Sequence, residues 1–144
     1  MAYPTYTSRP KRATKKDRIS FDGTDYSNAF KEFGINSSKS TEDAGGFNPT
    51  GVTETVPGAT TQSFVGQLYN IPEIIATFYD WHINDTVVEA QWQIDGLVDA
   101  TGDVFYGMVT IAEFSPVSTF GTVTSFAFSA ITADANGIQL AAGT

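Results

Sequence analysis

Thr86-Val87-Val88-Glu89-Ala90-Gln91-Trp92-Gln93-Ile94-Asp95 alternates apolar and polar side chains with a period of two. Val88, Ala90, Trp92 and Ile94 point one way, and Glu89, Gln91, Gln93 and Asp95 the other, so the stretch reads as a strand with one buried face. Downstream, residues 104–114 and 119–132 read as two longer strands separated by a turn at Ser115-Pro116. In the last of these, Phe126 and Phe128 share a face with Thr122 and Thr124, opposite Ser125, Ala127 and Ser129. Residues 137–142 are expected to add a short edge strand.

Upstream, residues 62–69 read as a strand, and Asn70 opens the one helical pattern. Pro72 and Glu73 suit its first turn, where a missing N–H and a negative charge are tolerated. Ile71, Ile74, Ile75, Phe78 and Trp81 form its apolar stripe, and Asn84-Asp85 ends it. Earlier still, residues 18–21 make a short strand closed by the turn pair Asp22-Gly23, and residues 29–36 a second. Between 37 and 61 the texture changes to Ser, Thr, Gly, Pro and Asn, with breakers at Gly45-Gly46, Asn48-Pro49, Thr50-Gly51 and Pro57-Gly58. A loop of that length inside a compact domain is usually functional, and this one is expected to be ordered mainly by neighbouring copies. About six strands, one helix and no βαβ alternation predict a mainly β fold. The expected form is an antiparallel β-sandwich or partial barrel with one flanking α-helix, an extended N-terminal arm and a long loop.

Charge is divided unevenly along the 144 residues. Residues 1–18 hold Arg9, Lys11, Arg12, Lys15, Lys16 and Arg18 against Asp17, a net +5. Residues 19–144 hold Lys31 and Lys39 against fifteen acids, a net −13. A basic, apolar-poor arm on an acidic body points to docking on another copy or a partner. The domain reading is therefore an extended arm over 1–17 and a single β domain over 18–144, with 37–61 as an inter-subunit loop.

Aromatic content of 13%, with eleven Phe, supports a proper core. The absence of cysteine removes disulfides and thiolate metal sites. No apolar run reaches the roughly 18 residues of a membrane span. The arm lacks the apolar segment of a secretory signal, and Pro4 and Pro10 interrupt a presequence helix. Residues 10–16 have the composition of a nuclear import signal, a common kind of short basic run.

Little in the chain suggests catalysis. His82 is the only histidine, and its place at the helix end suits a dipole partner better than a base. Glu42 and Asp43 fall in the long loop, a poor place to hold a raised pKa. Asp95, Asp99 and Asp103 are spaced too widely for an EF-hand and lie among hairpin-loop glycines. No phosphate-binding glycine motif is present. No enzyme, cofactor or metal is expected. The row Glu89, Gln91, Gln93 and Asp95 reads either as a solvent face or as the wall of a channel that would repel phosphates.

The run Arg18-Ile19-Ser20-Phe21-Asp22-Gly23-Thr24-Asp25-Tyr26-Ser27-Asn28, then Ala44-Gly45-Gly46-Phe47, Val56-Pro57-Gly58 and Ser63-Phe64-Val65-Gly66, resembles the major tail (tail tube) proteins of long-tailed bacteriophages. Residues 106–116, with the Phe114-Ser115-Pro116 turn, resemble that family's late strands. The resemblance covers roughly 18–132. An arm as long as residues 1–17 exceeds the pattern and leaves a tail terminator, or another virion protein of the same fold, as an alternative.

The resemblance implies a structural subunit that forms hexameric rings, stacked into a hollow tube that conducts DNA during ejection without binding it specifically. It implies tail terminator, tape-measure and baseplate proteins as partners, no membrane, assembly in the host bacterial cytoplasm and residence in the virion tail. Arg9, Lys11, Arg12, Lys15 and Lys16 would then contact the next ring. Glu42, Asp43, Phe47, Val52 and Val56 would lie in the bridging loop, and Glu89, Gln91, Gln93 and Asp95 would face the lumen. The competing expectation is a ligand- or carbohydrate-binding β-sandwich using Tyr69, Trp81, Trp92 and Tyr106 as a stacking platform.

Overall fold

A computed structural model describes residues 16–43, 55–97 and 101–142, and the backbone alone at 42, 43, 55 and 56. The elements are β1 (Arg18–Phe21), β2 (Thr24–Asp25), a 3-10 turn (Ser27–Ala29), β3 (Phe30–Asp43), β4 (Thr55–Tyr69), α1 (Pro72–Ile83), β5 (Val88–Gln93), β6 (Val104–Phe114), β7 (Ser125–Thr132) and β8 (Gln139–Ala141). All eight strands form a single antiparallel sheet, ordered β2-β1-β5-β6-β7-β4-β3, with β8 on the free half of one edge of β6. The fold is mainly β with one flanking helix, as the alternation in β5 predicts.

The sheet curls until strands far apart in its order meet. Phe21 on β1 packs against Phe30 and Phe33 on β3, at ring-centroid distances of 5.9 and 6.2 Å, and Phe33 meets Trp92 on β5 at 5.7 Å. The result is a half-closed barrel built from one sheet rather than two separate sheets. Helix α1 packs against β6 and the aromatic core. Its Phe78 is fully buried and touches Phe21, Tyr26, Phe30, Trp81, Phe114 and Phe128. Burying each such ring contributes about 2–3 kcal/mol, so Phe21, Phe64, Phe78 and Phe128 supply a large share of a marginal total stability.

Several boundaries differ from the sequence reading, each for a local reason. Strands β3 and β4 run on to Asp43 and from Thr55, so most of the expected 37–61 loop is a hairpin. Backbone pairing from Asn36↔Ser63 to Asp43↔Thr55 holds it, and its side chains from 36 to 41 are exposed. Residues 119–124, expected in a strand, form a loop with residues 115–118, and β7 begins at Ser125. Asn70 does not cap α1. The N-cap position is Ile71 with no side-chain cap, and the Asn70 amide instead donates to the Val117 carbonyl at 3.4 Å. The expected turn at Asp22-Gly23 is present with φ of 54° and 79°, the left-handed pair of a tight hairpin. At the helix end the Asn84 N–H donates to the Asp80 carbonyl, and Asp85 turns the chain with φ 51°.

Candidate assembly surfaces

The basic segment meets the fold at Lys16 and Asp17. Lys16 accepts a backbone hydrogen bond from Leu97 at 3.1 Å. The Asp17 carboxylate accepts from the Trp92 indole N–H at 3.1 Å and from the Asp95 backbone N–H at 2.9 Å. One side chain thus ties the start of β1 to β5 and to the turn that follows it. Beside it an open cleft of about 540 Å³, lined in part by Lys16, Asp17, Lys31, Glu32 and Leu97, marks the seam where β1 and β3 approach without pairing. Arg9, Lys11, Arg12 and Lys15 lie outside the described residues. Sequence reading placed Asp17 in the arm. Its role as an anchor depends on a partner 75 residues away and had no local signal.

The second surface is the hairpin. Strand β4 pairs with β7 only from Ser63 to Tyr69, so the stretch from Gln62 back to Thr55 is held by β3 alone. A two-stranded ribbon therefore extends about 23 Å beyond the sheet, at roughly 3.3 Å per residue. Residues 36–41 are all exposed. Gln62 marks its root: its Oε1 accepts from the Ile138 N–H at 2.9 Å, and its amide donates to the Ser37 hydroxyl at 3.4 Å. Gly137 passes so close, with φ 65°, that a Cβ there would lie 2.4 Å from Gln62 Oε1. Glu42, Asp43 and Val56 fall on the ribbon backbone, while Phe47 and Val52 lie outside the described residues.

The polar row on β5 divides. Glu89 and Gln91 are exposed, and the Gln91 amide donates to Glu89. Gln93 and Asp95 are buried, at 5% and 9% exposure. Gln93 donates to the Gly102 carbonyl, and Asp95 adopts a φ of 55° as the chain leaves the strand. Alternation continues in the backbone direction, but the following turn folds over the second half of the row.

The two tryptophans expected of a sugar platform are spent on packing. Trp81 stacks on Phe78 at 5.1 Å, and Trp92 stacks on Phe105 at 5.5 Å. The Tyr106 hydroxyl donates to Gln139. His82 Nδ1 donates to the Ile111 carbonyl at 2.9 Å, a bond that fixes helix to sheet. Among the described residues no three acidic, His or Cys side chains converge as metal ligands, and no buried side-chain polar atom lacks a partner.

The architecture is similar to a chain in the virion of a native gene transfer agent particle. The two superpose with a TM-score of 0.72 over 92% of this chain and 100% of the other, at 17% identity. They share one fold. No family's sequence model matches this chain, and no curated protein matches its sequence. The likeness is one of backbone architecture, at low sequence identity.

Proposed function

We propose that the chain is a tail tube subunit of a phage-like particle, polymerising as stacked rings around a channel for DNA. The observation that carries this reading is the protruding β3–β4 hairpin. A ribbon with no core of its own gains little by standing free in water, and it is suited to lie against a neighbour. The gene transfer agent virion chain of the same fold supports an assembly role, since that chain is itself part of a virion.

In this reading copies join side by side, which covers strand edges such as that of β3 that would otherwise invite uncontrolled pairing. The hairpin and the basic arm reach axially to the next ring. Such contacts are heterologous and propagate open filaments. Glu89 and Gln91, exposed on β5, are the members of the acidic row available to line the lumen. Gln93 and Asp95 serve the turn instead. A negative wall repels phosphates and lets DNA pass without specific binding. Electron microscopy with sedimentation of the purified protein tests the proposal. Rings or tubes are expected, and a clean 15.5 kDa monomer at all concentrations would overturn it.

A further inference from the structure

The loop between β6 and β7 holds three apolar side chains in water. Phe120 is 103% exposed, Val123 87% and Val117 52%. Hydrogen bonds nevertheless shape the loop closely. The Thr119 carbonyl accepts from the Thr122 N–H at 3.3 Å, closing a tight turn. Gly121 takes the φ of 79° that its third position requires, leaving Phe120 at the apex. At the base the Thr124 hydroxyl donates to the Val117 carbonyl at 2.9 Å, and the Asn70 N–H donates to the Thr124 carbonyl at 3.2 Å. The bonds that shape this loop bury none of its three apolar side chains. A preorganised apolar tip of this kind marks a contact surface.

Two further observations say what covers it. The first is position. Tyr69 at the end of β4 pairs with Ser125 at the start of β7, whereas the hairpin leaves from the other end of β4. Loop and hairpin therefore sit at opposite poles of the longest strand, up to about 46 Å apart along it. The second is charge. In a body of net −13, residues 114–133 carry no charge, and neither do residues 55–72, which include all of β4. Copies with the same strong negative charge touch at least cost where both surfaces are neutral.

We infer that the 115–124 loop is the receiving end of a head-to-tail contact, in which Phe120, Val117 and Val123 seat against the uncharged β4 side of the hairpin of a second copy. Exposed Pro57 and Ala59, with the methyl groups of Thr60 and Thr61, supply the facing apolar surface. Donor and receiver are different patches at opposite poles, so the contact repeats along one axis without closing. Each contact is small. Rings that present several at once gain avidity from their number, so stacking is weak for single subunits and strong for rings. The inference rests on the tube reading and names the surface that reading leaves open.

The cysteine-free chain allows a direct test. A double variant carrying Phe120→Cys and Thr60→Cys, oxidised under assembly conditions, should give a ladder of disulfide-linked multimers on a non-reducing denaturing gel. Either single variant should stop at dimers. Separately, Phe120→Asp should keep the wild-type melting temperature, because the ring touches nothing in its own chain. It should also raise the concentration needed for tubes by at least about ten-fold while rings persist. Wild-type tubes accompanied by normal tubes of Phe120→Asp, or a double-cysteine product that never exceeds dimers, would overturn this inference and leave the tube reading standing. Normal tubes of Phe120→Asp that fail to join another virion protein would assign the loop to that protein and equally overturn it. If the wild type forms neither rings nor tubes, both readings fall together.

Discussion

Gly66 shows how closely the two long strands are fitted. The register of β3 on β4 slips between Phe30 and Glu32, and this irregularity brings the Glu32 carbonyl over Gly66. A Cβ at Gly66 would lie 2.2 Å from that oxygen, with backbone atoms of Glu32 and Phe33 at 3.1 Å behind it. Backbone cannot swing aside as a side chain can. Gly66→Ala should therefore cost about 1–3 kcal/mol and lower the melting temperature by several degrees in a calorimetric scan. Asp17 is a second such residue. Asp17→Ala leaves the half-buried Trp92 indole and the Asp95 N–H without their acceptor, at a cost of about 1–3 kcal/mol. Trp92 emission should shift as its N–H loses the carboxylate, and an unchanged spectrum and melting temperature would refute the anchor. The sequence shows an Asp beside Arg18 and nothing of this role.

At the scale of elements, the hairpin and the sheet body are separable. The ribbon beyond Asn36 and Ser63 pairs only with itself, while the aromatic core lies wholly within the body. Replacing residues 40–59 by a two-residue Asn-Gly turn, which links the register partners Lys39 and Thr60, should leave the melting temperature within a few degrees of wild type while abolishing tubes. Loss of folding in that variant would show that the ribbon stabilises the body. Gln62→Ala is the milder change. It removes the bond to Ile138 at the root, and the ribbon should become more accessible to protease at 57–62 without a change in overall fold. Alternation made the strands legible wherever one face is buried, as in β5 and β6. It failed in residues 37–43 and 55–61, because a ribbon without a buried face has no hydrophobic period to read. It also failed in the other direction at 119–124, where Thr122 and Thr124 continue the period of Phe126 and Phe128 although the chain there is a loop.

For the whole molecule, the sign of the salt dependence separates two electrostatic effects. The +5 segment and the −13 body attract across copies, whereas body and body repel. With the arm present, raising ionic strength should slow tube growth by screening the attraction over about 8–10 Å. Deleting residues 2–15 removes four of the six basic residues of the first eighteen, and the same salt increase should then speed growth by screening repulsion. Light-scattering time courses at low and moderate salt would show this reversal. An unchanged sign would mean that the arm does not act through charge.

Alternation, helical spacing and breaker residues were enough to determine a mainly β chain with one helix between Asn70 and Asn84, and an aromatic core. These are local properties, written in the order of residues along the chain. Which polar residues of the β5 row reach solvent, that Asp17 clasps Trp92, and that loop 115–124 and the hairpin stand at opposite poles were decided only by the tertiary structure. Each depends on residues brought together from distant positions by the curl of one sheet. Pairing of that kind is set by burial of the Phe cluster, and no single stretch of sequence contains it.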